Sequence, residues 1–148
     1  MAQPVGVAIF YVASLAEVNR TPFDMVEADS ELVAGPFTEY SGMRFGFFFF
    51  AEYVALFIMS GILASLFFGG WLAPWPFPAQ LAGFGGTLYG IFWFFLKTYI
   101  FVFIAVWMRA TLPRVRVDQL MGVAWKVLLP LALVNLFVTA IAVVAFDL

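Results

Sequence analysis

Long hydrophobic runs separated by short polar connectors set the pattern of this chain. Three runs, residues 45–68, 88–107 and 123–146, are each long enough to cross a bilayer as a helix. A helix rises about 1.5 Å per residue, so about 20 apolar residues cover a hydrocarbon core of roughly 30 Å. The pattern therefore predicts an all-α membrane protein: one polytopic transmembrane helix bundle occupying residues 1–148.

A fourth apolar run, residues 2–16, is shorter than the others. As a helix it covers about 22 Å, less than the core thickness. It is either a truncated first span or an interfacial or re-entrant helix, and its length leaves both open.

The connector at 17–44 contains the signals of a short cytoplasmic helix. Thr21 before Pro22 is typical of a helix start, and Gly35-Pro36 is typical of a stop. The pattern thus predicts a helix over residues 22–34. On it three carboxylates share one face and Asp29 points elsewhere; the three are Asp24, Glu27 and Glu31.

Composition supports the membrane assignment and narrows the chemistry. The chain is 65% hydrophobic and 11% charged, with no cysteine and no histidine. Disulfides, thiolate-ligated iron–sulfur clusters, haem with histidine ligation and most zinc sites are therefore excluded for this chain acting alone, and we expect no metal. No basic patch suggests nucleic-acid binding.

Charge is unevenly distributed and predicts the orientation. Six of the nine acidic residues lie in 17–44, yet this connector and 108–122 also contain all five arginines, whereas 69–87 has no charge. The positive-inside rule places 17–44 and 108–122 in the cytoplasm. The acidic helix is either a solvated face or a surface that faces a proton-bearing cavity or a cationic partner.

Two ionisable residues fall inside predicted spans. Counting helix rise from the cytoplasmic edge puts Glu52 at about 11 Å depth and Lys97 at about 15 Å, so the two could pair. A buried ionisable group is a functional hypothesis by default. Glu52 is a candidate for reversible protonation. Glu17 lies on the same side and is a candidate for the next proton-carrying group toward the cytoplasm. The alternative is a structural ion pair or a snorkelling lysine.

Two residues of the last span interrupt its apolar pattern. Asn135 is typical of a hydrogen bond between helices, and Pro130 predicts a kink.

Two long stretches carry a family resemblance: EVNRTPFDMVEADSELVAGPFTEYSGMRFGFFFFAEY and WMRATLPRVRVDQLMGVAWKVLLPLALVN. They closely resemble the NADH dehydrogenase subunit 1 family, the H subunits of the proton-translocating NADH:quinone oxidoreductase, respiratory complex I. The resemblance covers essentially the whole chain and corresponds to the C-terminal half of the family pattern, roughly its fifth to eighth helices. It implies a membrane-arm subunit that contributes to a quinone cavity and to a proton path.

The resemblance also implies roles and partners. Glu17 and Glu52 would belong to the proton path, and the quinone-cavity loop would contain Arg20, Asp24, Glu27, Asp29 and Glu31. Quinone would bind at an interface with other subunits, while FMN and iron–sulfur centres would lie elsewhere in the complex, so we expect no activity from this chain alone. Its partners would be the peripheral-arm and neighbouring membrane subunits, the missing N-terminal half and the lipid of a bacterial inner (plasma) membrane.

Two other functions remain open. The chain could be an ion-translocating component of a related membrane-bound hydrogenase, which shares the PFD and acidic-loop signature. It could also be a non-catalytic fragment.

Overall fold

The structure, a computed structural model, describes residues 3–23, 39–74, 84–113 and 115–146. All regular structure within these ranges is helical. The helices are α1 (Pro4–Glu17), α2 (Met43–Phe67), α3 (Phe84–Thr111), α4 (Val117–Val123) and α5 (Leu129–Phe146), with a π-helical segment (Ala124–Leu128) joining α4 to α5. The predicted all-α class is confirmed.

Three helical stretches are long and apolar enough to cross a membrane: Met43–Phe67, Gly85–Thr111 and Asp118–Ala145. The last is continuous through α4, the π-helical segment and α5. Helix α1 is apolar but shorter, as its sequence predicts. The chain is therefore a multi-pass helical membrane protein.

Helices α2 and α3 form the most extensive pair, packed antiparallel through small residues. Gly61 of α2 is buried against Phe94 of α3, and its small neighbours Ser60 and Ala64 are buried as well. A Cβ at Gly61 would lie 3.4 Å from the ring of Phe94, in van der Waals contact, so this ring packs directly against the glycine. The hydroxyl of buried Thr98 donates to the Phe94 carbonyl of its own helix, which satisfies it without a partner on α2.

Two consecutive glycines end α2. Gly69 and Gly70 have φ of 67° and 53°, the left-handed region that glycine adopts without steric cost. The Gly70 N–H returns to the Ala64 carbonyl at 3.0 Å, and the chain then lies along α3 with Trp71 against Gly90. The turn that follows α2 is therefore held against α3.

Pro130 explains the π-helical segment. Proline has no N–H for the Lys126 carbonyl, and its ring crowds that carbonyl in a regular α-helix. The chain widens by one residue just before it, with the Leu129 N–H donating to the Ala124 carbonyl. The sequence predicts a kink here, and the structure contains this π-helical turn.

Asn135 lies where α5 meets α1. Its amide nitrogen is 3.5 Å from the point where a Cβ on Gly6 would stand. Among the described residues it makes no hydrogen bond between helices, so the predicted bond is not formed there; the contact is a close approach at a glycine.

A hydrophobic cluster joins the end of α1 to α2 and α3. Its buried members are Leu15, Val18, Phe23, Leu56 and Ala105. The Val115 N–H donates to the Pro22 carbonyl at 2.9 Å and ties the segment before α4 to the same place. These contacts fix the backbone around Arg20.

Candidate functional site

Helix α1 ends in a Schellman motif that turns Arg20 inward. Asn19 has φ of 51°, its N–H donates to the Ala16 carbonyl, and the Arg20 N–H donates to the Leu15 carbonyl at 3.1 Å. This pair of bonds around a left-handed residue satisfies the last carbonyls of a helix. Buried Val18 anchors the turn, and Arg20 points into the bundle.

The Thr21–Phe23 segment continues as a turn. The Phe23 N–H donates to the Arg20 carbonyl at 2.8 Å, and Phe23 is buried in the cluster. The prediction of a helix starting at Pro22 is wrong at this point, because the Schellman motif and the buried Phe23 hold the backbone in a turn. The remainder of that predicted helix lies outside the described residues.

Arg20 and Glu52 form an ion pair inside the bundle. Nη2 of Arg20 lies 3.3 Å from Oε2 of Glu52, and the two side chains are only 7% and 23% exposed. A buried pair returns little net stability because both charges lose water, but removing one partner leaves the other charge uncompensated. The geometry therefore holds a carboxylate within the membrane helix α2 against a fixed cation.

Aromatic rings of α2 cover the guanidinium. Its carbon atom is 4.1 Å from the ring centroid of Tyr53 and 5.9 Å from that of Phe49. A cation over an aromatic face is attracted by the negative face of the ring, more strongly where water is excluded. Tyr53 thus holds Arg20 beside Glu52.

A small void borders Arg20. It has a volume of about 30 Å³ and is lined by Arg20, Tyr53 and Arg109 together with the apolar side chains of Leu56, Ala105 and Val106. Arg109, at the end of α3, lies with its Nη1 3.5 Å from the Tyr53 hydroxyl and is exposed. The void therefore separates the buried pair from an exposed arginine.

The structure describes only some of the other predicted site residues. Glu17 is exposed at the last position of α1, three residues before Arg20. Asp24, Glu27, Asp29 and Glu31 lie outside the described residues. In the described part of the chain no group of three or more acidic, histidine or cysteine side chains could hold a metal ion.

Lys97 does not pair with Glu52, and the predicted contact is wrong. Its Nζ donates to the carbonyls of Phe68, Gly70 and Leu72 at 2.6, 3.1 and 2.5 Å. Glu52 lies sixteen residues before Phe68, or about 24 Å along the helix. Lys97 is 9% exposed and stabilises the C-terminal end of α2, where a cation is favoured by the helix dipole.

We expect Lys97→Met to destabilise this end of the bundle. The three carbonyls would lose a charged donor in an apolar environment, at a cost of about 2–4 kcal/mol. The measurement is the thermal denaturation midpoint of the chain extracted from its membrane in mild detergent. Lys126→Met, which removes an exposed lysine, is the matched control; an equal midpoint for the two variants would contradict the assignment.

Sequence reasoning missed the contribution of Tyr53 and the pairing partner of Glu52. The signal was present in Asn19, a residue that tolerates the left-handed conformation and so marks a helix end just before Arg20.

Fold and site together define a class: a multi-pass helical membrane protein with an ion pair buried at a helix junction. The family model described as "NADH dehydrogenase" matches residues 1–140. The chain belongs to this family.

Several curated relatives are similar to nearly the whole chain. An H subunit of the NADH-quinone oxidoreductase of Rhodopseudomonas palustris (strain HaA2) is 50% identical over 97% of this chain and 41% of its own length. The H subunits of the same enzyme from Brevibacillus brevis and Geobacillus kaustophilus are 53% and 54% identical over 95% of this chain and 40% of their own lengths. The chain thus spans about 40% of the length of these relatives.

Proposed function

We propose that the chain is a membrane-arm component of a proton-translocating NADH:quinone oxidoreductase. Its relatives are named as NADH-quinone oxidoreductase subunits, and the observation that carries the mechanism is the buried Arg20–Glu52 pair. A carboxylate held in a membrane helix beside a fixed cation is an element of proton relays. Electrons from NADH would pass through FMN and iron–sulfur centres in other subunits, and quinone would bind where this chain meets them.

In this proposal the carboxylates have separate roles in proton transfer. Glu52 accepts and releases a proton within the bundle, and Arg20 compensates its charge when the proton leaves. Glu17, at the exposed end of α1, exchanges protons on the same side. The loop residues Asp24, Glu27, Asp29 and Glu31 face the quinone cavity, and Lys97 has a structural part only.

We further propose that the chain resides in a bacterial inner membrane, with the end bearing Arg20 and Arg109 toward the cytoplasm. The positive charges of the described connectors at that end support this orientation. Its partners would be the quinone-site subunits of the peripheral arm, the neighbouring membrane subunits and the rest of the same subunit.

Purification through an affinity tag on this chain tests the assignment. We expect flavin and iron–sulfur absorbance to copurify with NADH:quinone oxidoreductase activity. Copurification of a nickel-containing hydrogenase protein without NADH oxidation would instead favour the hydrogenase alternative. Two results together would favour the non-catalytic alternative. The chain would be recovered with membrane subunits alone, and cells that lack the chain would keep their NADH:quinone activity.

Glu17→Gln should lower proton-coupled quinone reduction several-fold, because the amide keeps the shape of the side chain but cannot release a proton at neutral pH. The measurement is the NADH:quinone turnover and the proton uptake of reconstituted vesicles. Asp118→Asn, at an exposed position of α4, is the control. Unchanged turnover and pumping in Glu17→Gln would remove Glu17 from the proton path.

A further inference from the structure

The guanidinium of Arg20 has polar atoms that its ion pair does not satisfy. Nε and Nη2 are both buried, and neither has a hydrogen-bond acceptor in the described part of the chain. The contact to Glu52 is an electrostatic one at 3.3 Å rather than an aligned hydrogen bond. A buried N–H without an acceptor has lost the hydrogen bond that it makes to water in the unfolded chain, so an acceptor is expected beside it.

The void at Arg20 has the size and the lining to supply that acceptor. Its volume of about 30 Å³ exceeds the roughly 10–15 Å³ that a cavity needs to hold a water molecule. Truly empty cavities are lined by apolar groups, whereas buried waters use two to four polar partners. Here Arg20, Tyr53 and Arg109 contribute polar groups to the lining.

We propose that this void is a binding site for a single ordered water molecule. The water accepts hydrogen bonds from Arg20 and Arg109 and donates one to the Tyr53 hydroxyl. It gives the buried guanidinium a hydrogen-bond acceptor and links Arg20 to the exposed end of α3. The site does not depend on the proposed function, since its occupancy follows from the geometry alone.

Water is favoured over a small anion on charge grounds. Glu52 already matches the charge of Arg20 at 3.3 Å, so the guanidinium needs no second negative charge. Arg109 is exposed, so solvent compensates its charge. A neutral molecule that both accepts and donates therefore suits the site better than chloride.

The direct test is a structure of the purified chain with its bound subunits, at a resolution where buried waters are visible. We expect a density peak within about 3 Å of an Arg20 nitrogen and of the Tyr53 hydroxyl oxygen. An empty void beside other visible buried waters would overturn the proposal. Crystals grown with bromide in place of chloride separate the ligands, since an anomalous peak in the void would show an anion.

Filling the void provides a second test. Ala105→Val adds two methyl groups to its wall, and we expect the density to vanish while the Arg20–Glu52 distance stays. Ala110→Val, at an exposed position of the same helix, should keep the density. Density that persists in Ala105→Val would overturn the proposal, and if that variant does not fold, the wild-type structure decides.

Discussion

Replacing Arg20 with methionine should destabilise the chain by about 3 kcal/mol, the lower end of what breaking a buried ion pair costs. Methionine fills much of the same space but leaves the Glu52 carboxylate without its cation. The lower end applies because Glu52 is 23% exposed and retains some solvent. The Tyr53 ring also loses its cation contact.

The measurement is the denaturation midpoint of the purified chain with its bound subunits, together with its amount in membranes. Arg44→Met is the matched control, since Arg44 is exposed in the first turn of α2. A decrease confined to Arg20→Met is expected. Equal stability of the two variants would mean that the ion pair contributes nothing.

Glu52→Gln should preserve assembly but reduce proton-coupled quinone reduction by about tenfold or more, in line with the loss of a positioned proton carrier. Glutamine keeps the length and shape of the side chain and accepts a hydrogen bond from Arg20, but it no longer matches the charge of that guanidinium. Turnover and pumping are therefore compared per assembled complex. Glutamine cannot carry a proton, so turnover and pumping fall together.

Electron transfer from NADH to a water-soluble acceptor serves as the internal reference, because we propose that it does not require this chain. Glu39→Gln, at an exposed position before α2, is the control variant. Wild-type pumping by a Glu52→Gln complex that assembles normally would exclude Glu52 from the proton path.

The helices could be predicted from the sequence because hydrophobic burial in a bilayer requires long apolar runs. The spans around Glu52, Lys97 and Asn135 were therefore recognisable without coordinates. For the π-helical turn before Pro130, the sequence predicted only a local irregularity of the helix. It shows where an N–H is missing but not how the backbone accommodates the loss.

The pairing of charges could not be predicted in the same way. Counting helix rise places Cα atoms, and by that count Lys97 and Glu52 are neighbours in depth. A lysine on a helix points toward the N-terminus of that helix, here away from Glu52. The turn at Gly69 and Gly70 ends α2 within reach of the Lys97 side chain. The sequence pattern does not predict that this turn lies beside Lys97.

Arg20 illustrates the opposite case. Its neighbour Asn19 marks a helix end, but only the folded chain shows that the following turn buries the guanidinium between Glu52 and Tyr53. The family resemblance predicted that Arg20 belongs to a functional loop. Its pairing with Glu52 could not be predicted, because it depends on how α1 packs against α2.

A double-mutant cycle on Arg20 and Glu52 tests the central claim most directly. If the two charges form a buried pair, Arg20→Met combined with Glu52→Gln should be more stable than Arg20→Met alone, because no uncompensated carboxylate remains. We expect a coupling free energy of about 1–3 kcal/mol in denaturation of the purified chain with its bound subunits. Additive effects of the two substitutions would contradict the pair and the account built on it.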